Sequence, residues 1–221
     1  MSTITIFIVA LAVFFTLLYQ VLKRIALSML QKSLAKQDYA TVITVADMGL
    51  NRRLLKDYLC DLYKLRAYYL DKNEDEFDKQ LDHMIQQKGY KLEDKKDFLT
   101  NYFHTFLIKE NKKYANKLLK GIQLIGDSDF SIYNEQAYEV IFEKRTDLID
   151  TMVDEINSKK YYGFPLGVIV YTIARQYLYL NDMEHALIYF QNALVCFHPK
   201  SIYVPVINDY IKELQAQEKS T

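Results

Sequence analysis

The chain has 221 residues, half of them hydrophobic and 25% charged, with 28 basic and 28 acidic side chains that cancel to a formal net charge of zero. That is enough chain, of globular composition, to bury a sizeable core, and its charge balance gives no electrostatic footprint for nucleic acid as a partner. Six Gly and three Pro against 19 Tyr suggest an almost wholly helical protein, and two distant cysteines, Cys60 and Cys196, fit reduced thiols rather than an oxidised scaffold.

Residues 4–22 hold no charged side chain; Thr5, Thr16, Tyr19 and Gln20 are the polar interruptions. As a helix this run would be about 28 Å long, close to the hydrocarbon thickness of a bilayer. A cleaved signal peptide would need a basic segment ahead of the run, and Met1-Ser2-Thr3 supplies none. Its small triplet Ala10-Leu11-Ala12 also lies mid-run, with Phe14, Phe15, Leu17 and Leu18 beyond it. A buried core helix would need a matching apolar face downstream. The expected reading is a transmembrane helix, with residues 1–24 as the anchor. Lys23, Arg24, Lys32 and Lys36 follow closely, so the positive-inside rule puts the rest of the chain in the cytoplasm.

No Gly or Pro separates the anchor from the segment Arg24 to Lys36. One long helix is therefore expected to leave the membrane and become the first layer of the domain that follows. Downstream, breaks fall at Gln37-Asp38, Lys72-Asn73, Glu110-Asn111, Arg145-Thr146 and Asn181-Asp182. Taken at Asp38, Asn73, Asn111, Thr146 and Asn181, their spacings are 35, 38, 35 and 35 residues. A period near 35 in a helical chain signals stacked helix pairs. Between these breaks Gly49, Gly89, Gly126 and the Gly163-Phe164-Pro165 turn stand where a 3.6-residue apolar pattern stops, as helix C-terminal signals should.

Two charged runs lie on this periodic background. Asp71 to Asp82 is rich in acids but lacks the loop glycine and terminal glutamate of a calcium-binding hand. Lys109 to Lys120 is rich in lysine. Both read as solvated outer faces of second helices, with complementary docking surfaces as the other reading.

The second helix of each unit repeats one apolar triplet at i, i+4, i+7: Val42/Ala46/Gly49, Phe77/Leu81/Met84, Ala115/Leu119/Ile122 and Ile149/Val153/Ile156. The last unit is the fullest, with Ala186, Phe190, Ala193 and Leu194 followed by Pro199, and with Ile173, Ala174 and Tyr177 in its first helix. These positions resemble a tetratricopeptide repeat. Val170 departs from the pattern, since it stands where that family places Trp. The resemblance covers roughly residues 24–199 and implies an all-α fold. After the transmembrane helix would come an α-solenoid of about five antiparallel helix pairs over residues 25–199, then a capping helix and polar tail over 200–221. Ser201 is the expected cap of that last helix, Pro205 falls near its first turn, and Ile202, Val206, Tyr210 and Leu214 form its expected inner stripe.

The sequence shows little that would carry catalysis. His83, His104, His185 and His198 are scattered and form no HxxxH or HExxH pair, and there is no Walker-type, dinucleotide or nucleophile-elbow glycine motif. The expectation is a non-enzymatic protein with no metal and no cofactor. In the family that the last unit resembles, the first helix of each pair lines a concave groove. That resemblance implies Tyr171, Arg175 and Tyr179 as binding candidates, with Tyr63 two units earlier. Tyr and Arg are favoured at interfaces, but tyrosines can equally snorkel from a helix-packing core, and both readings stay open. The implied function is a membrane-anchored scaffold that recruits a protein or an extended peptide. A groove-based sensor of a small molecule or signalling peptide, and an extracytoplasmic repeat protein, are the alternatives. Oligomeric state is left open.

Overall fold

The computed structural model describes residues 3–218, so the end of the expected polar tail, residues 219–221, lies outside the described residues. Those described form twelve α-helices and no strand. The first, α1 (Thr3–Ala35), is a single helix of 33 residues, about 50 Å at 1.5 Å per residue. Everything on it from Thr3 to Ile25 is exposed, whereas Ala26 and Leu30 are buried. The expected continuity between apolar run and first layer is therefore present.

The chain falls into two compact units, Met1–Lys95 and Lys96–Thr221, a division that does not follow the boundaries expected from the repeat. In the first unit α1 packs on α2 (Tyr39–Asp47) and α3 (Gly49–Leu55), and α2 packs on α4 (Asp57–Leu70), which pairs with α5 (Glu74–Gln86). Their core joins Ala26 and Leu30 to Val42, Val45, Ala46, Leu54, Leu55, Cys60 and Ala67.

Helix α6 (Leu92–Ile108) opens at the division, and most of it belongs to the second unit. It is followed by α7 (Lys112–Gln123), α8 (Ser128–Glu143), α9 (Ile149–Asn157), α10 (Phe164–Tyr179), α11 (Met183–Cys196) and α12 (Tyr203–Glu218). Phe106 on α6 meets Tyr114 on α7 with ring centroids 4.9 Å apart, and Gln136 on α8 bonds Glu155 on α9. Helices α10 and α11 form the most extensive pair, with α12 laid on α11. The layout is thus a series of helix pairs, with the short α3 as an addition that the repeat does not announce.

The breaks have a common chemistry. Gln37, Lys72, Glu110 and Asn181 all take left-handed φ between 51° and 60°. At each, two backbone N–H groups turn back to close the preceding helix, as in Lys72 to the Tyr69 carbonyl and Asn73 to the Tyr68 carbonyl. The very next residue caps the helix that follows. The side chains of Asp38, Asn73, Asn111 and Asp182 accept from the N–H of Thr41, Glu76, Tyr114 and His185. One dipeptide therefore ends one helix and begins its partner, which is why the period is legible. The break at Arg145-Thr146 differs, because α8 ends at Lys144 in the left-handed region and α9 starts after Leu148 without a side-chain cap.

The apolar triplets are buried in α5, α7 and α11; in the first, Val42 and Ala46 of α2 are buried but Gly49 is exposed. Ile149, Val153 and Ile156 of the short α9 are only half-buried, and Met152 is its buried residue. The glycine signals also need correction. Gly49 opens α3 instead of closing α2, and Gly163, at φ +59°, stands just before α10. In α12 the buried residues are Tyr203, Ile207 and Leu214: Leu214 is as expected, but Tyr203 and Ile207 take the places expected of Ile202 and Val206, and Ile202 is exposed. Ser201 does accept from the Tyr203 N–H at 3.4 Å. Gly167 marks the tightest approach: a Cβ there would lie 2.8 Å from the Phe197 ring, so only glycine lets α10 pass that ring.

Candidate functional site

The three candidates of the last unit are brought together, but not as an open groove. Spaced four residues apart on α10, Tyr171, Arg175 and Tyr179 lie on one helix face. Tyr171 is 1% exposed and Arg175 is 7% exposed. The guanidinium donates to the Tyr171 hydroxyl at 3.0 Å, to the Tyr179 hydroxyl at 2.8 Å and to Glu110 Oε1 at 3.1 Å. It lies 5.4 Å from the ring centre of Tyr179 and 5.3 Å from that of Tyr210 on α12. Planar and weakly hydrated, a guanidinium suits such an aromatic enclosure. Burial pushes the Tyr171 hydroxyl up to about 12, against the opposing pull of Arg175.

These two side chains therefore pack the second unit, and they correct the groove expectation. The face of α10 that the family pattern would leave open is covered here by Phe190 of α11 and by Tyr203 and Tyr210 of α12. What remains at the surface is the rim of the cluster: Tyr179 is half-buried and the Glu110 side chain is 58% exposed. Tyr63 lies in the other unit, 6% exposed within the core of α2 and α4, so it too packs the fold.

Two polar centres had no forecast in the sequence. In the first unit Asp61, 2% exposed on α4, receives two bonds from the Arg52 guanidinium, at 3.0 and 3.2 Å, and one from the Tyr90 hydroxyl at 2.6 Å. His83 Nε2 stands 3.4 Å away. Burial works to raise the Asp61 carboxyl, but the bonds from Arg52 and Tyr90 outweigh it and hold it below the usual carboxylate range. In the second unit His104 is fully buried, its Nδ1 2.6 Å from the Tyr203 hydroxyl and its ring against Phe103, Tyr133 and Phe164. Burial pushes this imidazole down to about 3, so it is neutral. Asp61 and Arg52 stand nine residues apart on different helices, and His104 and Tyr203 nearly a hundred. No local spacing could join either pair.

Of the cysteines, Cys60 is buried and free, with burial pushing its thiol up to about 11, and Cys196 is free and half-buried. Among the described residues no group of three or more His, Cys, Asp or Glu side chains is placed to hold a metal ion.

No family model, no curated protein and no solved structure matches the chain. The arrangement itself is what any functional reading must use.

Proposed function

We propose that the protein is a membrane-anchored interaction module: α1 crosses a bilayer, and the helix pairs hold a protein or peptide partner beside it. The observation that carries this reading is the division of α1 itself. Ile4, Phe7, Phe14, Phe15 and Leu17 are each more than half exposed, while the same unbroken helix buries Ala26 and Leu30 in the first unit. A helix that is apolar all round and uncovered needs a lipid environment, and its length suits one. The cations at Lys23, Arg24, Lys32 and Lys36 favour a cytoplasmic domain. Tethering raises the local concentration of whatever the module holds. The tetratricopeptide resemblance supports protein binding as the class of activity, as fold-level analogy only.

The partner surface in this reading is the rim of the Arg175 cluster, not its floor. Full-length protein carrying a photo-crosslinking amino acid at Tyr179 is compared in intact cells with one carrying it at Lys159, an exposed residue of the same unit. A discrete adduct at Tyr179 alone, lost in Glu110→Arg, is the expected result. Equal labelling at both positions overturns the rim assignment. Resistance to alkaline carbonate, with protease cleavage of the domain only after the membrane is opened from the cytoplasmic side, checks anchor and orientation together.

A further inference from the structure

The first unit carries an open cleft of about 860 Å³ that none of the preceding reading uses. Its lining is electrostatically lopsided, with five cations against the carboxylates of Asp57 and Asp94. One of the five, Arg52, is already committed, to Asp57 at 2.7 Å and to Asp61. The other four, Lys23, Arg53, Lys56 and Lys91, make no ion pair among the described residues, although they line one cavity. Four amines and guanidiniums gathered from α1, α3 and the segments after α3 and α5 repel one another. An anion in the cleft relieves that repulsion.

The position of the cleft says which anion. Lys23 is the first charge after the apolar run, one turn beyond Tyr19, and the Tyr19 hydroxyl donates to the Leu54 carbonyl of α3 at 3.3 Å. Tyrosine at this place in a spanning helix marks the headgroup level, and the bond fixes α3 at that same level. At the start of α3, Met48 and Leu50 present apolar side chains that are 48% and 60% exposed, suited to the acyl boundary, with Arg53 one turn further along α3. Lys56 adds a backbone observation: at φ 72° and ψ 154° it occupies a region kept almost wholly for glycine. A lysine stands there where glycine would fit without strain, and its amine lines the cleft.

We infer that the cleft binds the phosphate of an anionic phospholipid headgroup, with Lys23, Arg53, Lys56 and Lys91 as its ligands. The inference rests on the reading of α1 as a membrane span, though not on which way the helix points. The bound lipid fixes the depth and tilt of the first unit at the bilayer surface, as basic pockets beside spanning helices do for acidic lipids.

The test uses full-length protein purified in a neutral detergent, with native mass spectrometry reading the retention of phosphatidylglycerol against phosphatidylcholine. One phosphatidylglycerol per chain is expected. Lys23→Gln, Arg53→Gln and Lys91→Gln should each weaken its retention about fivefold, and Lys159→Gln in the second unit should leave it unchanged. Lys56→Gly separates site from scaffold, because it should raise the unfolding temperature while it weakens retention. Equal retention of both lipids overturns the inference. So does unchanged retention in the three Gln variants and the Gly variant, or displacement of the lipid by glycerol phosphate at equal concentration. Carbonate extraction of the wild type tests the anchor separately. Release by carbonate with lipid selectivity intact would overturn the span and uphold the headgroup site.

Discussion

Among the described residues each compact unit buries one charge, and the two are held in opposite ways. In the first unit the buried group is an acid, Asp61, and the Arg52 guanidinium closes over it with two bonds while Tyr90 supplies a third. In the second unit it is a base, Arg175, whose only carboxylate among the described residues, Glu110, stays largely in water while three tyrosines do the enclosing. The difference follows from the groups. A carboxylate can only accept, and its hydration is strong, so an interior site must provide donors and a counter-charge. A guanidinium spreads its charge over a plane that aromatic faces and hydroxyl oxygens satisfy. A buried acid is thus locked by a partner, whereas a buried arginine is merely lodged.

The sharpest way to break that comparison is Arg52→Met. It strands the Asp61 carboxylate with only Tyr90 and a half-exposed His83 beside it, and uncompensated buried charge costs about 3–5 kcal/mol at neutral pH. The sign of the pH response should also reverse. In the wild type the Asp61 pKa is depressed, so its stabilisation is present at neutral pH and is lost as pH falls below the usual carboxylate range. Without Arg52 the opposing effect of burial wins, the pKa rises, and acid should stabilise the variant. Urea unfolding at pH 7, 4.5 and 3, with hydrogen exchange of α4 to localise the loss, checks both. Adding Asp61→Leu should restore most of the stability; an additive double variant would mean the pair is not coupled.

Arg175→Met should cost less, about 2–3 kcal/mol. No charge is left stranded, because Glu110 returns to water; the loss is the cation–aromatic attraction and the partner of the buried Tyr171 hydroxyl. Hydrogen exchange of α10 and α12 reads it, and a loss matching that of Arg52→Met would erase the contrast between the units.

His104 shows a third solution, a titratable group kept neutral. Its folded pKa, about 3, lies far below the usual 6.5, so between those values the unfolded chain binds the extra proton and stability falls with acid. The slope is at most about 1.4 kcal/mol per pH unit, or roughly 2 kcal/mol between pH 6.5 and 5. Thermal unfolding followed on α6 and α8 should show that slope in the wild type and lose it in His104→Phe.

The repeat was legible because its breaks are local: a left-handed residue followed by a capping Asp or Asn is written in adjacent positions, as at Lys72-Asn73. The buried triplets of α5 and α11 were legible for the same reason, since i, i+4, i+7 is a property of one helix. What failed was everything that depended on what lies opposite. Tyr171 and Arg175 sit at positions that an α10 open to solvent would present to a partner, but Tyr203 and Tyr210 of α12, distant in sequence, close over them. The Asp61 and His104 centres were missed likewise, and the start of the inner stripe of α12 slipped by one position, to Tyr203 and Ile207, because Tyr203 is drawn in by His104. The apolar run of α1 needed no such partner, so its exposure could be read directly.

The smallest expected effect tests the lodging of Arg175 most directly. Glu110→Gln keeps an acceptor 3.1 Å from the guanidinium and removes only the charge of a side chain that is 58% exposed. Water already screens that charge, and exposed pairs contribute about 0–1 kcal/mol. If tyrosines hold the arginine, unfolding of the second unit should shift by no more than that, and raising the salt concentration should change wild type and variant alike. A loss as large as that of Arg175→Met, shrinking with salt, would mean the ion pair holds the cluster after all, and the two units would then treat buried charge by the same rule.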